Sequence, residues 1–316
     1  MSFTIKLDKS KDLKSVRKQF QETGVFYTDP TLAEMVQGFL PADTDEAYDP
    51  TAGCGNLLAV FGDDVAKFGQ ELDPAQAEAC NRLPNCQCVA GNTLTEPAFM
   101  DRKFRAIVAN FPFSVRWDPK RAEEDPRFFA LGVPLPPASK ADYAFILHIL
   151  HMLSEDGTAV VIVPHGILFR GNAEGKIRKY ILEQNWIDSI TGFEKGYFQD
   201  TSIPVAVLVF RKHRNKDTIR FADHEHGVER DVSLKEIQEN DFNLNIARYV
   251  QPPMPEEPYI DPAAVWKDFV KTCQDSLRTS LECARMMADM QTDTGADFGN
   301  LDDFRRAMTE VLNEAC

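Results

Sequence analysis

Tyr48-Asp49-Pro50-Thr51-Ala52-Gly53-Cys54-Gly55-Asn56 decides the fold. A short apolar run, Glu46–Asp49, precedes it, and an apolar segment, Asn56–Asp63, follows. Gly53 and Gly55 let the backbone turn tightly and approach a ligand without a Cβ in the way. A helix opening beyond them would offer free N–H groups. Asp49 at the strand end suits an ammonium group or a sugar hydroxyl better than a phosphate. The pattern differs from G-x-G-x-x-G, because the third glycine is absent and an Asp precedes the loop. A plain strand–helix turn is the other reading of the same residues.

Working outward, short β-like runs alternate with helical patterns. The predicted strands are Glu46–Asp49, Val65–Glu71, Cys86–Ala90, Phe104–Asn110, Thr158–Pro164, Ile187–Gly192 and Ile203–Arg211. The predicted helices are Pro30–Leu40, Asn56–Asp63, Pro74–Arg82, Ala141–Leu153 and Glu174–Gln184. The alternation implies an α/β protein whose mostly parallel sheet is covered on both faces. Only Phe193–Ser202 joins the last two strands, so a hairpin is expected and the final strand should run antiparallel. The expectation is a seven-stranded sheet with one antiparallel strand.

The strand ends then supply the chemistry. Glu71 stands about 20 residues after the glycine loop, where doubly wound folds grip ribose hydroxyls, with Asp73 as second choice or helix cap. Asn92 ends the third strand and could meet an adenine amino group, or simply make a turn. The fourth strand ends in Asn110-Phe111-Pro112-Phe113. An Asn amide oxygen can accept from an exocyclic NH2 group, and Phe113 can stack on a planar base.

The 316 residues carry a net charge of −14, with 43% hydrophobic and 27% charged residues. Residues 251–316 hold 13 acidic and 6 basic residues, a net of −7, so the global sign says little about the first 250. No run approaches the ~18 apolar residues of a membrane span, and residues 1–14 do not read as a signal peptide. Seven cysteines without C-x-x-C spacing read as reduced thiols of a cytoplasmic protein. His148 and His151 lack an acidic third ligand in spacing, so no metal site is expected. Four prolines in Gln251–Pro258 mark a linker. The expected organisation is a catalytic domain at 1–250, a Pro-rich linker at 251–260 and an acidic helical tail at 261–316. Within the tail, helices are predicted over Pro262–Met290 and Leu301–Glu314.

Together these motifs resemble the N6-adenine DNA methyltransferases, most closely the modification subunit of type I restriction-modification systems. The resemblance runs from about Gly24 to Val250. Gly24-Val-Phe-Tyr-Thr28 resembles the N-terminal cofactor motif, Asp49–Gly55 the S-adenosylmethionine loop, and Asn110–Phe113 the catalytic Asn-Pro-Pro-Phe/Tyr. Asp142–Phe145, Val163–Phe169 and Asn243–Tyr249 also have counterparts. The resemblance implies a Rossmann-like class I methyltransferase fold with S-adenosylmethionine as cofactor. It implies cofactor contacts from Phe26, Tyr27, Thr28, Asp49, Thr51, Gly53, Gly55, Asn56, Glu71 and Asn92. It further implies methylation of the adenine N6 amino group in double-stranded DNA, the base being flipped into a pocket and held by Asn110, Phe111, Pro112 and Phe113.

Three departures qualify the resemblance. Phe111 stands where the family has Pro, Asn92 where an Asp is common, and the cofactor motif begins only 24 residues in, so the family's N-terminal helical domain and a large recognition domain are expected to be absent. DNA contacts are expected from Arg116, Trp117, Lys120, Arg121 and Arg127, in the 114–141 segment that would overhang the pocket with Phe128 and Phe129. Weaker basic clusters are Arg170, Lys176, Arg178 and Lys179, and Arg211–Lys216. The acidic tail would dock a specificity subunit or a second copy. Alternative readings are methylation of an RNA adenine or a protein glutamine amide, and a turnover-deficient assembly subunit. The setting implied is a bacterial or phage-encoded cytoplasmic enzyme.

Overall fold

The computed structural model describes residues 36–122, 124–193, 204–251, 261–295 and 301–314. The chain divides into two compact units at residues 252–253. The first is built on a nine-stranded sheet of order β3-β2-β1-β4-β5-β7-β6-β8-β9. Its strands are β1 (Glu46–Asp49), β2 (Ala66–Glu71), β3 (Cys86–Ala90), β4 (Phe104–Ala109), β5 (Leu153–Pro164), β6 (Ile187–Phe193), β7 (Val205–Arg211), β8 (Thr218–Asp223) and β9 (Val228–Ser233). β1 lies between β2 and β4, both parallel to it. β7 inserts antiparallel between β5 and β6.

Both faces of this sheet are covered, which explains the near-continuous apolar runs. Ala159, Val161 and Val163 of β5 point into one core layer, and Val160 and Ile162 into the other. The helices are α1 (Pro74–Cys80), α2 (Asp142–Met152), α3 (Asn172–Glu183) and α4 (Leu234–Glu239). Asp73 caps α1 by accepting the Ala75 N–H at 2.8 Å, with Pro74 in the first turn. α2 is buried nearly all round and fills the first layer, while α3 buries one stripe through Ile177, Ile181 and Leu182.

The second unit comprises α5 (Pro262–Thr294) and α6 (Leu301–Glu314), packed on one another. Leu281, Ala284 and Ala288 are half-buried, whereas Val265, Trp266, Phe269, Val270 and Leu277 in the first half of α5 are exposed. Among the described residues, no helix is long and apolar enough to cross a membrane.

The sheet exceeds the expected seven strands by β8 and β9, and two strands are antiparallel rather than one. β8–β9 is a hairpin with only Ile219, Phe221 and Val232 buried. Its charged outer positions hide the alternation. Asn56–Asp63 does not form a helix. One 3-10 turn at Leu58–Val60 ends in extended Phe61, because Leu57, Leu58 and Phe61 all turn inward and Gly62 follows within two turns. β5 starts directly after α2, five residues earlier than expected, and passes a register irregularity opposite Phe104–Ala106. Of the predicted helix Pro30–Leu40, only residues 36–38 are described as helical, and the Pro-rich 252–260 stretch lies outside the described residues.

Candidate active site

The carboxyl ends of β1, β2, β3 and β4 bring the glycine loop, Glu71, Asn92 and Asn110 to one edge of the sheet. In the loop, Gly53 has φ +54° and Gly55 φ +94°, a region where any side chain is strained. A Cβ on Gly55 would also stand 2.6 Å from Leu83 Cδ1 and 3.0 Å from Cys80 Sγ. Gly55 is thus required by the turn, with Leu83 and Cys80 packed closely beside it. Its carbonyl accepts the Ala59 N–H at 2.8 Å.

The acid at the end of β2 organises this loop. Glu71 Oε2 accepts the Gly53 N–H at 2.8 Å and Oε1 accepts the Asp73 N–H at 3.0 Å. Each carboxylate oxygen retains acceptor capacity, so Glu71 can hold the loop and receive ligand hydroxyls together. Asp49 is 1% exposed. Its Oδ1 accepts the Thr51 N–H at 2.9 Å. Burial, with the nearby Glu71 charge, pushes its carboxyl up to about 7 against the pull of that N–H. Such a group favours the arrival of a cation. The donor set therefore fits a ligand with a cationic end near Asp49 and hydroxyls near Glu71. Between Glu71 and Asp73, Leu72 is 68% exposed. This exposed apolar side chain beside Glu71 was not singled out from sequence; an apolar residue flanked by two strand-end acids was its signal. Asn92 Oδ1 accepts the Leu94 N–H at 2.9 Å, which makes the turn reading true of its oxygen and leaves its NH2 group directed elsewhere.

A buried polar chain underlies the loop. His148 on α2 meets Tyr48 Oη through Nε2 and Arg127 Nη1 through Nδ1, both at 3.0 Å. Arginine only donates, so Nδ1 accepts, and Nε2 carries the proton and donates to Tyr48. Burial and the neighbouring Arg127 cation hold His148 well below the usual histidine range, consistent with a neutral ring.

Asn110 follows β4 and is half-buried, as are Pro112 and Phe113. The Phe111 ring belongs to the core. It is fully buried, stacked on Phe145 at 5.0 Å and edge-on to Phe113 at 6.2 Å. Only its backbone remains for the site. Ser114, next in line, takes φ +55°.

The basic candidates separate clearly. Arg116 and Lys120 are exposed. Arg127 is 1% exposed, and its guanidinium donates to the carbonyls of Thr93 and Leu94, to His148 and to Asp125. All five N–H groups are engaged, so Arg127 is a structural residue and not a DNA contact. Arg178 likewise donates to the carbonyls of Phe242, Ile167 and Arg170. Trp117 donates to the Pro137 carbonyl at 3.1 Å and packs on buried Phe128. Phe129 is the aromatic of this segment that faces solvent, at 57% exposed. The Arg121 side chain and Phe26, Tyr27 and Thr28 lie outside the described residues.

Comparison with known proteins follows the same lines. The chain is 28% identical over 341 residues to the methylase subunit of the type I restriction enzyme MpnII from Mycoplasma pneumoniae, covering 88% of this chain and 62% of that protein. It is 28% identical over 210 residues to the MjaIX methylase subunit from Methanocaldococcus jannaschii, covering 60% and 38%. Among solved structures, the methyltransferase subunit of a type I restriction-modification system from Streptococcus thermophilus superposes with a TM-score of 0.66 at 31% identity, over 75% of this chain and 62% of that one. The chain thus spans roughly half the length of its curated relatives. Residues 14–233 match the family model described as N-6 DNA Methylase, more than two thirds of the sequence. With the glycine loop, the strand-end acid and the Asn-Phe-Pro-Phe tetrad on one sheet edge, this chain belongs to the N-6 DNA methylase family.

Proposed function

We propose that this protein transfers a methyl group from S-adenosylmethionine to the N6 amino group of adenine in DNA. The observation that carries the reading is the shared sheet edge of the Glu71-tied glycine loop and the Asn110 tetrad in a chain of this family. When bound, S-adenosylmethionine supplies an electrophilic methyl group on a sulfonium centre. In this reading Asp49 meets the cationic methionine end, Glu71 receives the ribose hydroxyls, and Leu72 lies against the adenine ring of the cofactor, with Asn92 donating from its NH2 group. Phe26, Tyr27, Thr28, Thr51 and Asn56 complete the set by resemblance.

At the acceptor, Asn110 Oδ1 and the adjoining backbone carbonyl accept from the adenine amino group. Two acceptors fix both N–H bonds and aim the nitrogen lone pair outward, so orientation replaces a general base. Phe113 stacks on the flipped base. Phe111 contributes a carbonyl, and its ring is an anchor in the core. Arg116 and Lys120 meet phosphates. The exposed apolar side chains of α5, beginning at Val265 and Trp266, support docking of a specificity subunit that reads the DNA sequence.

The test is transfer of labelled methyl from S-adenosylmethionine to unmethylated DNA, RNA and protein, by the wild type and Asn110→Ala, with and without a cognate specificity subunit. Label in N6-methyladenine of DNA, lost in the variant while cofactor binding stays within a few-fold, is expected. Transfer confined to RNA or to protein amides would overturn the DNA assignment, and cofactor binding without transfer to any acceptor would overturn the catalytic one.

A further inference from the structure

The end of the tetrad is tied down by groups from two other elements. Asp142, at the start of α2 and fully buried, accepts the Ser114 N–H through Oδ1 at 2.7 Å. Its Oδ2 accepts from Arg170 Nη1 at 2.7 Å and lies 3.5 Å from Ser114 Oγ. Arg170 Nη2 donates to Ser114 Oγ at 3.2 Å, and Nη1 also reaches Glu174 Oε1 on α3 at 3.2 Å. Gly166 leaves the room in which this guanidinium lies, since a Cβ there would stand 2.8 Å from Arg170 Nε and Nη2. The Arg170 carbonyl is itself held by Arg178 at 2.8 Å. Ser114 is left-handed at φ +55°, a conformation that a non-glycine residue keeps only when its surroundings impose it.

We propose that Asp142 and Arg170 are positioning residues for methyl transfer, acting through Ser114 to fix the Asn110–Phe113 backbone relative to the cofactor loop. This rests on the function proposed above. A carboxylate shared between a backbone N–H and a guanidinium gives short, charge-assisted bonds. They join the segments that follow β4 and β5. Loss of the tie leaves the acceptor groups present but misplaced, and a misplacement of about 1 Å costs on the order of 100-fold in rate.

The experiment uses the full-length chain with Arg170→Lys, Asp142→Asn and Ser114→Ala. Arg170→Lys keeps the charge but loses the fork, and Asp142→Asn keeps an acceptor for Ser114 but loses the charge. Amide hydrogen exchange and cofactor affinity are read alongside kcat and KM. The expected result is faster exchange of the Ser114 amide in Arg170→Lys and Asp142→Asn, with Gly53 and Ala59 unchanged. Cofactor affinity should stay within threefold while kcat falls about 10- to 100-fold. Ser114→Ala should show a smaller fall. Unchanged exchange at Ser114, or a loss expressed wholly in cofactor affinity, overturns the proposal. Faster exchange with unchanged kcat in an active enzyme also overturns it. If the wild type transfers no methyl group at all, the function reading fails, and the exchange data alone decide whether the tie holds the tetrad.

Discussion

Substituting Asp49 by Asn should stabilise the ligand-free protein and weaken cofactor binding together. Burial moves the Asp49 carboxyl from its ordinary 3.8 to about 7. At 1.36 kcal/mol per pH unit, ionising it in the empty site costs about 4 kcal/mol. The sign is that of a raised carboxyl pKa. Between pH 4 and 7 the folded chain holds a proton that the unfolded chain has released, so stability falls as pH rises through this window and is lowest above 7. Asn keeps the oxygen that accepts the Thr51 N–H and never ionises. Each kcal/mol moves the midpoint of a domain this size by ~2–4 °C. Calorimetry without ligand should find Asp49→Asn melting roughly 8–16 °C above the wild type at pH 8 and level with it near pH 4. Ligand binding inverts the order. A cationic ligand end favours the ionised carboxylate, so wild-type affinity for S-adenosylmethionine should fall about tenfold from pH 8 to pH 6, the ionised fraction dropping from ~0.9 to ~0.1 around a pKa of about 7. Titration calorimetry of the variant should show weaker binding with a flat profile over that range. A variant that melts lower at pH 8, or wild-type binding indifferent to pH, would refute the role given to this carboxyl.

Phe111→Pro, which restores the family's tetrad, should lower stability by roughly 3 kcal/mol, because it empties a site packed on Phe145; urea denaturation reads this, and an unchanged midpoint would show that the ring is dispensable. Arg127→Met should destabilise by about 3–5 kcal/mol, because two buried carbonyls lose their donors and half-buried Asp125 keeps only the N–H of residue 127. By contrast, Arg116→Ala and Lys120→Ala should leave the midpoint unchanged and each lower the slope of log K for DNA against log salt by about 0.9, read by fluorescence anisotropy.

The parts of this molecule that sequence made legible are those where local pattern and burial agree. β5 and β7 are covered on both faces, so Val160–Val163 and Val205–Phe210 read as unbroken apolar runs. The glycine loop and Glu71 were legible because turn geometry and strand ends fall at fixed spacing. What escaped depends on partners remote in sequence. Arg127 reads as a surface cation until Thr93, Leu94 and His148 close around it, although Asp125 two residues earlier was a local hint. The Phe111 ring reads as facing the site until Phe145 is found stacked on it, which leaves the site only the backbone of this residue. Asp142 and Arg170 lie 28 and 56 residues after Ser114, and nothing in their local sequence joins them. Asn56–Asp63 misled because Leu57, Leu58 and Phe61 mimic helical spacing, although the chain turns extended at Phe61 and Gly62 follows.

The β8–β9 hairpin bears on solubility. A sheet that ended at β6 would present open N–H and C=O groups on a strand buried on both faces, a ready template for another chain. In this protein the edge passes to β9, whose central residues are Glu229, Arg230 and Asp231. Arg220 on β8 pairs with Glu229 and Asp231, and Arg230 pairs with Glu236 on α4. An incoming strand would have to align beside alternating charges already neutralised by their own neighbours. The hairpin therefore ends sheet growth with charge rather than with closure, and those three ordinary surface residues guard the apolar strands behind them against edge-to-edge aggregation.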